Sequence, residues 1–198
     1  MMRYLREFCS DERGVGTVEF ALMLPVLMLV FVGGNFLTET VMVQNKVARA
    51  ANALARLASM DATIDDDRWN SYRALTATML EPLEGTPTVV LSSVGNAGDG
   101  LKVRWSDSSG AALVRGAAFA FPAAAAAYAS SDKNVLVAKV TLPHSSLLAR
   151  IWNALPWAPF TFTQDQTYSD VAYALPLQKS GAGTDLWTRR STGGVTLF

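Results

Sequence analysis

At 198 residues the chain is long enough for one domain with an appended helix and too short for two full catalytic domains. Its 17 Lys and Arg balance 17 Asp and Glu, so no global field draws a nucleic acid; one Cys excludes an intramolecular disulfide, and Cys9 with His144 alone cannot form a His/Cys zinc site. Half of the residues are hydrophobic and only 17% are charged, below the roughly 25% of soluble domains, so the surplus apolar content needs a location.

That location is Phe20 to Leu37, FALMLPVLMLVFVGGNFL, a run without a formal charge. As a helix its eighteen residues span about 27 Å, close to the thickness of a bilayer core. A secretory signal has a shorter apolar region and a small-residue cleavage site, which Gly33-Gly34-Asn35 imitates poorly. A buried core helix should show one polar face, yet only Pro25 and Asn35 interrupt the run. The segment therefore reads as a membrane span. Orientation is not set by charge, because Arg3, Arg6 and Arg13 precede it while Lys46, Arg49 and Arg56 follow. Cys9 precedes the run and is not placed like a lipoprotein acceptor.

Beyond the apolar run the helical signal continues. Val43, Val47, Ala50, Leu54 and Leu57 recur at spacings of four and three, while Asn45, Arg49, Asn52, Arg56 and Ser59 repeat them on another face. No Pro or Gly interrupts Asn35 to Asp61. One nearly continuous helix over 15–60 follows, bent at most near Pro25 or Gly33-Gly34, with its extension packed on its own domain or also on other copies.

Immediately before the apolar run stands Arg13-Gly14-Val15-Gly16-Thr17-Val18-Glu19-Phe20, followed by Ala21-Leu22-Met23-Leu24-Pro25. This string resembles the start of TadE-like proteins, the pseudopilins or minor pilins of Tad (Flp-type) pilus systems. In that family a short basic leader ends in Gly, a prepilin peptidase cuts after it, and a Glu lies five residues into the mature chain. The resemblance implies cleavage between Gly14 and Val15, with Glu19 as the fifth mature residue and Phe20 where Flp-type pilins commonly carry Tyr. It implies subunit assembly through Glu19, Phe20 and Pro25.

A carboxylate inside an apolar helix costs about 2.5–3.5 kcal/mol at the bilayer centre and less near its edge, so Glu19 needs a reason. In one reading it sits at headgroup level and favours the helix N-terminus through the macrodipole. In the other, implied by the resemblance, it neutralises the new α-amino group of Val15 on a neighbouring copy. Pro25 removes the hydrogen bond to the Ala21 carbonyl and loosens the helix there.

Asp61 to Leu80 opens with Asp61, Asp65, Asp66 and Asp67 and continues as a short helix presenting Trp69, Tyr72, Leu75 and Met79. Its spacing fails the calcium-loop pattern. Thr88 to Ser93 and Leu101 to Ser106 predict a hairpin around the Gly-rich turn Val94 to Gly100, and Asp107 to Gly110 predicts the next turn. Ala123 to Ala129 predicts a short helix. Asn134 to Leu142 predicts a central strand with Leu136, Ala138, Val140 and Leu142 toward the core and Pro143-His144-Ser145 ending it. A short apolar helix through Leu155 and a strand from Phe160 to Ala174 complete an order that also resembles the C-terminal half of TadE-like proteins. Beyond Gln178 the chain is Gly- and Ser-rich, with Trp187 as an anchor.

His144 stands beside Ser145 and Ser146, but adjacent turn residues do not present base and nucleophile to each other, and nucleophile-elbow, P-loop and H-E-x-x-H patterns are absent. The expectation is an α+β protein without enzymatic activity, cofactor, metal or small-molecule substrate: a leader over 1–14, a transmembrane and stalk helix over 15–60, and a periplasmic domain with an antiparallel sheet over 61–198. The resemblance implies a single-pass protein of the bacterial inner membrane, N-terminus cytoplasmic, that works in pilus initiation or at the tip. Its partners would be the prepilin peptidase, other pilins and the Tad secretion complex. A single-pass cell-envelope binding domain outside any fibre, and a secreted enzyme with a misread signal, are the alternatives.

Overall fold

Forty-six residues, Val15–Met60, form a single α-helix, α1, in the computed structural model of the chain. The structure describes residues 15–61, 63–96, 100–125, 134–156, 161–163, 165–175, 188–190 and 196–197. Pro25 and the Gly33-Gly34 pair lie inside α1 without ending it. The polar side chains at the end of its apolar run bond back to the helix. Asn35 Nδ2 donates to the Phe31 carbonyl at 2.7 Å, and the Thr38 and Thr40 hydroxyls donate to Gly34 and Phe36, each at 2.9 Å. Such bonding to the carbonyl four residues back lets a polar group sit in an apolar stretch without an outside partner.

By its contacts the chain divides into two compact units, one comprising the chain to Thr40 with Ser146–Gln164, the other Val41–Ser145 with the chain from Asp165 onward. In the second unit a four-stranded antiparallel sheet is built from β2 (Thr88–Asn96), β3 (Leu101–Ser108), β4 (Val135–Ser145) and β5 (Asp165–Ala174), in the order β3-β2-β4-β5. The later part of α1 packs on one face of this sheet. Val43, Val47, Ala50 and Leu54 are buried with Leu57 against them, as their spacing predicts, and Leu136, Ala138, Val140 and Leu142 meet them in the same core.

On the outer side of α1, Asn45, Arg49, Asn52 and Arg56 are exposed, whereas Ser59, assigned to that polar face, is buried. Its hydroxyl is satisfied by donating to the Arg56 carbonyl at 2.7 Å, so burial leaves no orphan group.

After Met60 come a two-residue strand, β1 (Thr63–Ile64), and a helix, α2 (Asp66–Leu80). Asp65 caps α2 by accepting from the Arg68 amide at 2.8 Å, with Asp66 and Asp67 in the first turn where the helix dipole favours them. The buried face of α2 is Trp69, Tyr72, Thr76 and Leu80, whereas the expected Leu75 and Met79 are exposed. Thr76 can turn inward because its hydroxyl donates to the Tyr72 carbonyl at 2.8 Å. Lys46 Nζ ties α1 to the end of this helix by donating to the Glu81 carbonyl at 3.0 Å.

The predicted hairpin forms, but its strands run to Asn96 and Ser108, and β4 runs through Pro143-His144-Ser145 to pair with Thr167, Gln166 and Asp165. Pairing on β5 extends the strand where local turn signals alone would stop it. Gly85 approaches β4 closely: its φ is +118° and a Cβ there would collide with the Pro143 carbonyl, so both backbone and space require glycine. A β-bulge falls at Ser93/Val94, where Ser93 opposes Trp105 and Val94 opposes Val103, leaving Arg104 as the extra residue. Val103 therefore belongs to a second cluster on the far face of the sheet, with Val94 and Val137, while Trp105 joins the core under α1.

Of the predicted helix after Pro122, Ala123–Ala125 is a 3-10 turn and the remainder lies outside the described residues, as do Phe160 and Trp187. The last predicted strand begins at Asp165. Past it, β6 (Thr188–Arg190) pairs in parallel with β1 and antiparallel with β7 (Thr196–Leu197), a small sheet that the sequence reading did not anticipate.

The first unit holds α1 up to Thr40 and α3 (Leu147–Asn153). Phe36 stacks on Phe162 with ring centres 5.1 Å apart, and Trp152 meets the same ring at 5.9 Å. Asn153 clamps Phe162 through both backbone groups, at 2.8 and 2.9 Å. The fold is α+β: a long apolar N-terminal helix followed by a small domain with an antiparallel sheet.

Candidate functional site

The sequence places the site at the start of α1. Gly14 lies outside the described residues, and Val15 is the first residue of the helix. Glu19 is the fifth residue of α1; the first turn contains no acid, so the carboxylate stands one turn inside the helix and not at its cap. Glu19, Phe20 and Pro25 are all exposed. They follow each other along the bare part of one helix.

Exposure changes along α1. The most apolar eighteen-residue stretch of the helix has none of its residues buried against the rest of the chain. Val18, Leu22, Val26, Val30 and Phe31 are each about 60% exposed or more, and the buried stripe begins only at Val43. A helix that is apolar all round and uncovered must find an apolar surrounding, which a bilayer or a bundle of like helices supplies. Among the described residues α1 is the one helix long and apolar enough to cross a membrane.

Other features of the sequence are absorbed by the fold. Asp65 caps α2; Asp61 accepts from the Tyr72 hydroxyl and lies 3.7 Å from the Arg68 guanidinium. Burial pushes the Tyr72 phenol well above its ordinary range, and the Asp61 hydrogen bond and charge push the same way, because both favour the neutral form. His144 is nearly buried, with Nδ1 3.4 Å from the Glu84 carbonyl and its ring facing Tyr168 at 6.3 Å. Ser146 donates to Glu39 Oε2 at 2.6 Å and caps α3 by accepting from the Ala149 amide. Its hydroxyl is thus engaged in structure.

On the far face of the four-stranded sheet a cavity of about 260 Å³ is lined by apolar side chains together with Ser92, Lys139 and Tyr173. Burial, with the charge of Asp170 added, raises the Tyr173 phenol. Among the described residues no three His, Cys, Asp or Glu side chains gather as metal ligands.

The Glu39–Ser146 link escaped the sequence reading. Its signals were present: a lone acid just after the apolar run, and a Ser directly before Leu147-Leu148 in the position of an N-cap. No rule of local spacing joins residues 107 apart.

Residues 14–56 match the family model described as TadE-like protein. The match starts on the residue assigned as the end of the leader, and it stops at Arg56, so the strand, helix and strand of the C-terminal half lie beyond it. No curated protein and no solved structure matches the chain. Over Gly14 to Arg56, and there alone, the chain is similar to the TadE-like family.

Proposed function

We propose that the protein is a minor pilin of a Tad-type pilus, held by α1 in the bacterial inner membrane until it enters the fibre. A prepilin peptidase removes residues 1–14, leaving Val15 as the mature N-terminus in the cytoplasm and the domain over 61–198 in the periplasm. Its activity is assembly: α1 packs with the helices of other pilins, and the domain recognises a related pilin or the Tad secretion complex. A domain of this size would crowd every subunit of a thin fibre, which favours a place in initiation or at the tip over the bulk of the filament.

The observation that carries this reading is the coincidence of the TadE-like match with an uncovered helix whose first residue follows Gly14. A free α-amino group on Val15 would be a cation in an apolar surrounding, and Glu19 of a neighbour is the carboxylate suited to meet it. No chemistry at a reacting bond is needed.

Mass-spectrometric determination of the mature N-terminus in cells with the cognate peptidase tests it. Val15 is expected, and Gly14→Leu should leave a full-length, membrane-bound chain because a side chain collides at the bond to be cut. An intact Met1 terminus in the wild type would point to a plain anchor, a start near Asn35 to an ordinary signal sequence. Unchanged processing in Gly14→Leu would remove the assigned cleavage site.

A further inference from the structure

The helix α3 is amphipathic in an inverted sense. Ala149 and Trp152 are buried, while Leu147 and Ile151, one turn apart, are 59% and 55% exposed, with exposed Arg150 and Ala154 beside them. An outward face in water is normally polar; this one is mainly aliphatic, with a cation on its flank. Its position is fixed by contacts to α1 and to Phe162. Ser146 at the cap bonds Glu39, Phe36 packs on Phe162, and Trp152 and Asn153 contact the same Phe162. Glu39 follows the last residue of the apolar run, Leu37, by two positions, about 3 Å along the axis. Such a helix stands where the hydrocarbon core would give way to headgroups.

We propose that α3 is a membrane-interface helix, with Leu147 and Ile151 set into the boundary between headgroups and acyl chains and Arg150 reaching back toward lipid phosphates. The inference rests on the reading of α1 as a membrane span. Interfacial helices insert their apolar face about 5–10 Å, within reach of a helix anchored at the level of Phe36 and Glu39. At seven residues α3 is too short to hold a bilayer alone, but α1 keeps it at the surface, so its docking is intramolecular and needs little affinity. The added contact fixes the depth and rotation of α1 against sliding, a job that flanking anchors do for other spans.

Lipid is favoured over a neighbouring subunit by continuity: the exposed face adjoins the end of an apolar segment that is itself uncovered. The test uses the full chain with Cys9→Ser in vesicles of phosphatidylcholine and phosphatidylglycerol. A nitroxide is attached at a single cysteine replacing Ile151, Val26 in the span, or Asn45 on the exposed polar face of α1. All three positions are exposed, so the label displaces no core. A second label at Leu147 repeats the measurement. Collisions with dissolved oxygen, which enters hydrocarbon, are compared with collisions with a water-soluble nickel chelate.

Oxygen should dominate at Val26, Ile151 and Leu147, and nickel at Asn45. Oxygen at Val26 with nickel at Ile151 and Leu147 would overturn the interface helix and leave the anchor standing. Nickel at Val26 as well would overturn the anchor and the interface helix together. Shielding of Ile151 and Leu147 from both reagents would show a protein surface covering α3, and would overturn the inference in favour of a subunit contact.

Discussion

Ser146 Oγ donates to Glu39 Oε2 at 2.6 Å while accepting from the Ala149 amide at 3.3 Å, so one hydroxyl both caps α3 and holds a carboxylate of α1. Losing an N-cap costs about 0.5–2 kcal/mol, and here the same change also removes a donor from Glu39. Ser146→Ala should speed amide hydrogen exchange across Leu147–Asn153. Ser146→Asp, usually a good cap, should do worse at neutral pH because its carboxylate would face Glu39, and should recover in acid. Equal protection in Ser146→Asp and wild type at neutral pH would show that the Glu39 contact does not form in solution.

Adjacent serines of β2 should respond oppositely to truncation. Ser92 shares a hydrogen bond with Ser106 at 2.8 Å, whereas the Ser93 hydroxyl is buried without a partner among the described residues. A buried unmade hydrogen bond is a standing penalty, so Ser93→Ala should leave stability unchanged or raise it by about 1 kcal/mol, and Ser92→Ala should lower it by about as much. Urea unfolding of the detergent-solubilised chain, followed by tryptophan fluorescence, reads both. A larger loss at Ser93 than at Ser92 would contradict the assignment.

Tyr72 predicts an alkaline limit. Its phenol is held neutral by burial and by Asp61, so its folded pKa lies above the ordinary 10.0. A raised folded pKa contributes stability that is whole below the unfolded value and is lost as pH climbs from 10.0 toward the folded one. Stability should therefore fall above that pH, less steeply in Tyr72→Phe. In a spectrophotometric titration of the folded protein, the tyrosinate step near the ordinary value should be the same size in wild type and Tyr72→Phe. A smaller step in the variant would mean that Tyr72 titrates normally.

Glu19 separates a pilin from a plain anchor. In an anchor, Glu19→Ala removes a costly polar group and nothing is lost; in a fibre, it leaves a neighbour's Val15 ammonium unpaired, worth several kcal/mol where water is excluded. Glu19→Ala should insert in the membrane and carry a Val15 terminus yet fail to support pili, and Glu19→Asp should fail in part because it reaches less far. Wild-type pilus counts in a correctly processed Glu19→Ala strain would sink the mechanism.

What was legible in the sequence followed from periodicity. The stripe from Val43 to Leu57 and the alternation of Leu136 to Leu142 both face the core, because helix and strand periods alone decide which side of an element is apolar. Ser59, read on the polar face, is buried, and Thr76 is buried where Leu75 was expected, since a hydroxyl that bonds its own helix can be buried at little cost. Strand ends were misjudged at Asn96, Ser108 and Ser145, where the partner strand and not the local turn residue sets the limit. Of the site, the order Gly14, Val15, Glu19 and Phe20 is a linear motif and so visible in one dimension. The contact between Glu39 and Ser146 is not.

The unopposed Arg104 acts as a phase shift written into one strand. Inward and outward positions of β3 exchange at that residue, so Val103 and Trp105, which plain alternation would send to the same side, fill opposite faces. Deleting Arg104 would make Val103 and Trp105 neighbours, which unbroken alternation places on opposite faces, so both side chains would keep their cores while the local bend of the bulge is lost. The bulge is thus the means by which a strand one residue too long keeps both side chains in place.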